Sequence, residues 1–189
     1  MARTKEFDEQ QVLDKAMRLF WENGYAHTSM QELVDTMGIH RRSIYDTFGD
    51  KHALFLKVLH RYEDLLAHEV RELVQPDMPL KEQLWTLFST TVYPRNLQPK
   101  GCLLVNTAAE LAVRDEEVYC MLKKSFARSE NYIYQLLLTA KETKSFSYNG
   151  NLADLASNLH NTWLGLRINI KLNDPKELEG MLTVALSDF

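Results

Sequence analysis

The apolar residues of this 189-residue chain recur at intervals of three and four along almost its whole length. In residues 8–23, for example, Val12, Ala16, Leu19 and Phe20 form one stripe. No segment alternates polar and apolar residues with a period of two, the pattern of a half-buried β-strand. The spacing predicts an all-α fold of nine helices, over residues 8–23, 29–37, 40–47, 51–74, 80–93, 102–113, 114–143, 152–172 and 175–186.

Capping residues mark the ends of the first two of these helices. Asp8 is a suitable N-cap for the first helix, and Gly24 is suited to follow its last turn. Ser29, with Glu32 three residues later, has the spacing of a capping box at the start of the second helix. Gly38 then predicts the end of that helix. The boundaries of this N-terminal region are therefore well specified by local sequence.

Composition excludes several classes of protein. Hydrophobic residues make up 45% of the chain and charged residues 25%, as in ordinary globular proteins. No apolar stretch approaches the length of a membrane span, and no apolar segment of a signal peptide follows the charged N-terminus. Cys102 and Cys120 are too few for a disulfide scaffold. We expect a cytoplasmic protein with reduced thiols and no membrane partner.

Residues 30–49 match the pattern of a helix-turn-helix. Two short helices packed at a steep angle need apolar contacts, for which Leu33, Met37 and Ile44 are suitably spaced, and a turn residue that tolerates positive φ, such as Gly38. The second of the two helices then presents polar side chains that suit base edges and phosphates in a major groove. These outward residues are His40, Arg41, Arg42, Ser43, Tyr45, Asp46 and Thr47.

Any binding of nucleic acid must depend on a local basic patch, because the net charge of the whole chain is −4. In residues 36–52, Arg41, Arg42 and Lys51 outnumber Asp46 and Asp50. A short basic arm, with Arg3 and Lys5, precedes the first helix.

The first 60 or so residues resemble the DNA-binding domain of the TetR/AcrR family of bacterial regulators. The resemblance rests on short motifs in a specific order and spacing. They are Leu19-Phe20, Asn23-Gly24-Tyr25, Thr28-Ser29-Met30, Met37-Gly38-Ile39, Ser43-Ile44-Tyr45 before Phe48, and Asp50-Lys51 followed by Leu54.

This resemblance implies a helix-turn-helix domain over residues 1–52 and a larger helical domain for ligand binding and dimerisation over residues 53–189. It implies a homodimer formed through the last two helices, bound to double-stranded operator DNA and released by a small-molecule effector. Leu152, Leu155, Leu159, Trp163 and Leu166, together with Leu178, Met181, Leu182, Ala185 and Leu186, are the stripes expected at that interface. By position, Ser29, Tyr45 and Lys51 would contact phosphates, and Gln31, Arg41, Arg42, Ser43 and Thr47 would contact bases or bases and phosphates.

Large and polar side chains of the C-terminal region are candidates for the effector pocket. An aromatic lining would favour an apolar or aromatic effector. The main candidates are Trp85, Phe88, Cys102, Asn106, Glu110, Tyr134 and Trp163, and a wider set adds Tyr93, Tyr119, Phe126 and Asn158. The segment around Tyr62 and Glu63, by contrast, has the composition of a solvated surface.

Cys102 offers an alternative mode of sensing. It is expected at the start of a helix, where the partial positive charge favours a thiolate, and Lys100 is nearby in sequence. The Gly101-Cys102-Leu103 opening resembles a subset of the family in which a cysteine senses electrophiles or oxidants. The opposing interpretation is a small buried hydrophobe. Lys171 is a candidate neighbour of this thiol.

A helical protein that binds small molecules without any role on DNA is the remaining alternative. The chain has none of the common catalytic or phosphate-binding motifs and no pattern of metal ligands. We therefore expect no enzyme activity, no metal and no cofactor.

Overall fold

The computed structural model describes residues 7–93 and 99–189. Within these ranges the chain forms helices and no strand, which confirms the all-α prediction. Arg3 and Lys5 of the predicted basic arm lie outside the described residues. The helices are α1 (Glu9–Asn23), α2 (Met30–Met37), α3 (Arg41–Phe48), α4 (Lys51–Leu73), α5 (Leu80–Val92), α6 (Leu103–Leu111), α7 (Glu116–Glu142), α8 (Leu152–Asn169) and α9 (Pro175–Ala185).

The first two helices begin and end at the residues that the sequence indicated. The Asp8 carboxylate accepts hydrogen bonds from the backbone of Gln10 and Gln11 at 2.8 and 3.2 Å. Gly24 adopts φ 81° and ψ 170°, a conformation almost restricted to glycine. Ser29 and Glu32 form the expected capping box. α3 begins one residue later than expected, because His40 is its N-cap and not its first helical residue.

A first hydrophobic core joins α1 to α4 with α6 and the start of α7. Leu33 and Met37 of α2 and Ile44 and Phe48 of α3 are buried in it. Gly38, at φ 70° and ψ 28°, makes the left-handed turn between α2 and α3. The helix-turn-helix is therefore held by α1 and α4, which in turn pack against α6, so it shares one core with part of the C-terminal region.

A second core lies between α5, the later part of α7, α8 and α9. It buries most of the stripe residues that the sequence assigned to a dimer interface: Leu152, Leu159, Trp163, Leu166, Leu178, Leu182 and Leu186. For these residues the expectation was wrong, because their side chains are enclosed within one protomer. Of the other stripe residues, Leu155 and Ala185 are half-buried and Met181 is exposed.

Helix α4 belongs to both cores. Its first half contributes Leu54, Phe55, Val58 and other residues to the first core, and Val70 near its end packs against the second. The predicted domain boundary between residues 52 and 53 falls inside this helix and stays a prediction. None of the helices in the described ranges is long and apolar enough to span a membrane.

Candidate nucleic-acid interface and ligand cavity

Helix α3 has one buried face and one exposed face. Ile44 and Phe48 are fully enclosed, and they hold the helix against α2 and α4. Arg41, Arg42 and Tyr45 are exposed on the other side of the same helix. Ser43 and Thr47 are half-buried at its edges. The five residues predicted to contact DNA from α3 therefore share the side that the core leaves open.

The exposed face of α3 carries an acid among its bases. Arg42 Nε lies 3.6 Å from Asp46 Oδ2 one turn later, and the Arg42 side chain is 92% exposed. Such a solvated pair contributes little to stability, so the guanidinium can leave it for another anion. The pair lowers the net positive charge of this face while the protein is unbound.

The α2 candidates lie at the start of the preceding helix. The Ser29 hydroxyl accepts a hydrogen bond from the Glu32 backbone N–H at 3.2 Å, and its own proton is available to a further acceptor. Hydrogen bonds from the backbone and side chain of Ser29 lower the pKa of Glu32. Gln31 Nε2 donates to Asp35 Oδ1 at 2.9 Å on the exposed surface.

Lys51 is held at the start of α4. Its ammonium group lies 4.4 Å from the centre of the Tyr25 ring, close enough for a cation–π contact. Partial burial lowers the pKa of Lys51, while the charges of Glu110 and Glu32 oppose that shift. The contact with Tyr25 favours one position of the Lys51 side chain, which is predicted to contact a DNA phosphate.

Tyr25 belongs to the loop between α1 and α2, and this loop is hydrogen-bonded to α6. Glu110 of α6 accepts hydrogen bonds from the backbone N–H groups of Tyr25, at 3.0 Å, and Ala26, at 2.7 Å. Nearby, His52 Nε2 lies 2.7 Å from Asp115 Oδ2 at the start of α7. We call these five residues the interdomain clasp. It ties the loop before α2 and the start of α4 to α6 and α7.

A cavity of about 490 Å³ lies between α4, α5, α6, α7 and α8. This is within the roughly 300–1,000 Å³ that is typical of small-molecule sites. Its apolar lining includes Leu66, Val70, Leu87, Leu104, Phe126 and Trp163. Its polar lining includes His60, Glu63, Asp64, Glu69, Arg71, Thr90, Ser125, Arg128, Ser129, Tyr132 and Arg167.

Of the seven main pocket candidates from the sequence, only Trp163 is among the described residues that line this cavity. Phe88 is completely buried behind the wall and stacks on Trp163 with 5.8 Å between ring centres. Trp85 and Tyr134 pack against the second core. The remaining three lie on or just before α6: Cys102 is buried in the first core, Asn106 is half-buried, and Glu110 is part of the clasp. None of these six residues lines this cavity, and their contact with an effector stays a prediction.

Several lining residues were missed because the cavity faces the polar side of α4. Tyr62 is buried. Glu63 forms an ion pair with Arg128, and its Oε2 lies 3.3 Å from His60 Nδ1. The interpretation as solvated surface was therefore wrong for Tyr62 and Glu63, whereas Asp64 is exposed. One feature of the sequence could have indicated this cavity wall. Polar and small residues recur at i, i+4, i+7 and i+11 and so share one helical face: His60, Asp64, Ala67 and Arg71. Phe126, from the wider set, does line the cavity, whereas Tyr93, Tyr119 and Asn158 do not.

Cys102 occupies the N-cap position of α6, as the sequence predicted, but its side chain is only 2% exposed. It lies beside the Tyr62 hydroxyl, and burial together with this thiol raises the pKa of Tyr62 well above its ordinary value. Lys171 is near the same turn, because a Cβ built on Gly101 would lie 2.7 Å from its Cε.

A small helix-turn-helix unit with an exposed second helix is joined through one long helix to a larger helical region that contains a cavity. This arrangement defines the class of helix-turn-helix DNA-binding regulators. Comparison with known proteins supports the same class. Residues 12–58 match the model of bacterial regulatory proteins of the tetR family, and residues 82–184 match the C-terminal domain described as tetracyclin repressor-like. The chain belongs to the TetR family of DNA-binding transcriptional regulators.

Relatives match over nearly the full length of the chain. An uncharacterised helix-turn-helix-type transcriptional regulator, YezE of Bacillus subtilis, is 31% identical, with 99% of this chain and 98% of that protein covered. The transcriptional repressor ComR of Escherichia coli is 29% identical, with 97% and 88% covered. In structure, a cysteine mutant of the TetR-family regulator CifR in complex with 26bp double-strand operator DNA has a TM-score of 0.89, at 24% identity, with 99% and 100% covered.

These matches confirm the predicted family and fold. They also favour a transcriptional regulator over an enzyme or a helical binding protein without a role on DNA. The individual DNA-contact and effector-contact residues stay predictions.

Proposed function

We propose that this protein is a homodimeric repressor that binds a near-palindromic operator and is released when a small molecule enters the cavity. The observation that carries the proposal is the position of α4. Lys51, at its start, adjoins the helix-turn-helix, and His60 to Arg71 in its later part line the cavity. A single helix therefore senses the ligand and supports the recognition unit. Such a protein would act in the cytoplasm, where the operator lies.

Repression is supported by relatives, since ComR is described as a transcriptional repressor. The DNA-contact set stays as predicted: Ser29, Gln31, Arg41, Arg42, Ser43, Tyr45, Thr47 and Lys51. In the proposed dimer two α3 helices enter successive major grooves, about 34–36 Å apart along the duplex.

The proposed dimer surface consists of exposed apolar side chains on and just after α8 and on α9. Ile168 and Leu172 form one part, and Met181 and Val184 the other. Leu172 is 82% and Val184 75% exposed, which is unfavourable for large aliphatic side chains unless another surface covers them. A second copy presenting the same residues would bury them in a four-helix arrangement.

The interdomain clasp gives the proposed release a physical route. An effector that favours another spacing between α4, α7 and α8 would shift the ends of α6 and α7, and with them Glu110 and Asp115. Because these side chains bind the α1–α2 loop and the start of α4, the recognition helices would move out of register with the grooves. The size of the effect is limited by the difference in effector affinity between the two states.

Selection of genomic DNA fragments with the purified protein, repeated at several salt concentrations, tests the proposal. We expect one palindromic site to be enriched and its affinity to fall steeply as salt rises. Arg41→Ala and Arg42→Ala should each weaken binding to that site by about tenfold or more and relax its sequence preference, as expected for base contacts worth roughly 1–3 kcal/mol. Unchanged affinity and preference in both variants would refute the assignment of α3 as the recognition helix.

Covalent sensing through Cys102 is the second candidate. Its position at the N-terminus of α6 favours it, and a cysteine mutant of CifR and the reduced form of NemR of E. coli are among the similar structures. The deep burial of the thiol favours the reversible pocket instead. If an alkylating agent releases operator DNA from the parent protein but not from Cys102→Ser, covalent sensing is supported. Equal release from both proteins would exclude Cys102 as the sensor.

A further inference from the structure

Arg167 of α8 is a buried cation at the wall of the cavity. Its side chain lines the cavity, and the residue is only 6% exposed. Within residues 7–93 and 99–189, no carboxylate forms an ion pair with it and no side chain or backbone group forms a hydrogen bond with its guanidinium. Arginine is almost never buried without a partner, since removing its charge from water is strongly unfavourable. This residue therefore requires a specific explanation.

Trp163 accounts for one face of the guanidinium. Arg167 Cζ lies 3.8 Å from the centre of the Trp163 ring, which is the geometry of a cation–π contact. The contact leaves the N–H donors at the edge of the planar group without an acceptor in the described structure. Stacking explains how the side chain is oriented, but it does not satisfy its hydrogen bonds.

The neighbouring titratable groups do not neutralise this charge. Burial and, to a smaller extent, the charge of Arg167 lower the pKa of His160, so that imidazole is uncharged near neutral pH. Tyr62 is protonated, because burial raises its pKa. Neither group therefore supplies a negative charge to Arg167 at the wall of the cavity.

The acids that line the cavity have other partners or lie towards solvent. Glu63 forms an ion pair with Arg128, and its other carboxylate oxygen lies 3.3 Å from His60 Nδ1. Asp64 is exposed, and Glu69 has an interaction of its own. The cavity thus combines an apolar wall, with Leu87, Leu104 and Phe126, and one deep unpaired guanidinium.

We propose that the cavity binds an amphipathic anion, a compound with an aromatic or branched apolar body and one carboxylate, and that Arg167 receives the carboxylate. This deepens the proposed function and rests on it, since the cavity is taken as the effector site. A planar guanidinium can bind both oxygens of a carboxylate at once, which an ammonium group cannot do with the same geometry. The apolar body would lie against Phe126 and Trp163.

A matched pair of ligands tests the proposal directly. Naphthalene-1-acetate and naphthalene-1-acetamide have the same apolar body and nearly the same size, but only the first is an anion. Their affinities for the full-length protein are measured by calorimetry, or by displacement of the neutral fluorescent probe N-phenyl-1-naphthylamine. We expect the acid to bind at least tenfold more tightly than the amide. Equal affinities, or a preference for the amide, would overturn the proposal.

Three variants separate the role of Arg167 from general charge and from stability. Arg167→Met should abolish the preference for the acid while changing the affinity for the amide by less than threefold, which also shows that the cavity is intact. Arg167→Lys should restore part of the preference. Arg114→Met removes an exposed arginine that does not line the cavity, and it should leave the preference within about twofold of the parent. A preference that persists in Arg167→Met, or is lost equally in Arg114→Met, would contradict the assignment.

Operator release distinguishes failure of this inference from failure of the proposed function. Release by both compounds at matched occupancy would retain the ligand response and overturn only the preference for anions. Binding of the acid through Arg167 without any change in operator affinity would retain the anion site but remove its regulatory role. Absence of binding by both compounds and by the neutral probe would count against the cavity as an effector site.

Discussion

Asp46 places a negative charge on the face that the α3 helix offers to DNA. Its carboxylate lies 3.6 Å from Arg42 and is otherwise solvated. Close to a phosphate backbone it would repel the DNA and compete with it for the guanidinium. In the proposed complex with DNA, Asp46 would therefore limit operator affinity.

Asp46→Asn should accordingly strengthen operator binding about two- to fivefold at low salt, the effect of roughly 0.5–1 kcal/mol of removed repulsion, and less at high salt. Fluorescence anisotropy with a labelled operator at two salt concentrations measures this. Asp154→Asn, in the first turn of α8, has the same change in charge away from α3 and should have little effect. Weaker binding of Asp46→Asn, confined to operators with one particular cytosine, would show instead that Asp46 reads a base.

The turn between α2 and α3 depends on one residue. Gly38 is in the left-handed region, and a Cβ built on it would meet no atom nearer than Lys15 Nζ at 3.9 Å. The effect of Gly38→Ala therefore comes from the backbone alone, and it should lower the free energy of unfolding by about 1–2 kcal/mol. Gly38→Asn should lower it less, because asparagine tolerates this conformation. Urea denaturation compares the two, and equal stability of all three proteins would show that the turn relaxes.

Residues with a local role were predictable from the sequence, and residues with a distant partner were not. Asp8, Ser29 and Gly38 were assigned correctly because their caps and turns involve neighbours within a few positions. The contact between Glu110 and Tyr25 was not predicted, because the two residues are 85 positions apart. Arg167 was not singled out at all, since nothing in its sequence neighbours indicates burial of an unpaired charge.

At the scale of the element, the N-terminus of α7 is stabilised by Asp115. Its carboxylate accepts a hydrogen bond from the Val118 N–H at 3.0 Å and contacts His52. The hydrogen bond from Val118, and after it the one with His52, lowers the pKa of Asp115. A group whose pKa is lower in the folded state stabilises that state above its unfolded pKa, and the stabilisation is lost as pH falls through the folded pKa.

The difference in unfolding free energy between the parent protein and Asp115→Asn should therefore be constant above about pH 5 and should shrink towards pH 3. Chemical denaturation at a series of pH values measures the difference. Asp8→Asn, a change at the exposed cap of α1, serves as the comparison for a cap without a histidine partner. A difference that is independent of pH would exclude a role for the charged form of Asp115.

Helix bounds also show what local sequence determines. The predicted start of the seventh helix at residue 114 was two residues early, because Asp115 is its N-cap. The predicted end of the eighth helix at residue 172 was late, since residues 170–172 form turns after Asn169. Apolar spacing locates a helix, but the capping hydrogen bonds determine where it begins and ends.

At the scale of the whole molecule, apolar periodicity could not distinguish the buried stripes of α8 and α9 from the proposed dimer surface. A stripe of leucines looks the same whether a neighbouring helix or a second copy covers it. The structure shows that the protomer itself covers most of them and leaves Ile168, Leu172, Met181 and Val184 exposed. Only the packing of α8 and α9 against α5 and α7 distinguishes the two groups.

The double variant Met181→Glu and Val184→Glu should convert the protein to a monomer, because like charges would meet across the interface. Operator binding should weaken by about a hundredfold or more, because a monomer makes only half of the DNA contacts. Light scattering coupled to gel filtration gives the oligomeric state. Val113→Glu, at another exposed apolar position, is the control and should remain a dimer. A double variant that stays dimeric would place the interface elsewhere.

The clasp also bears on which substitutions the α1–α2 loop can accept during evolution. Glu110 binds the main chain at positions 25 and 26, so this contact does not specify the side chain of the exposed Ala26. Gly24 differs, since a Cβ there would lie 2.9 Å from the Glu110 carboxylate on a backbone that only glycine adopts readily. A library randomised at positions 24 and 26 and selected for regulation should therefore retain glycine at the first position and diversify at the second.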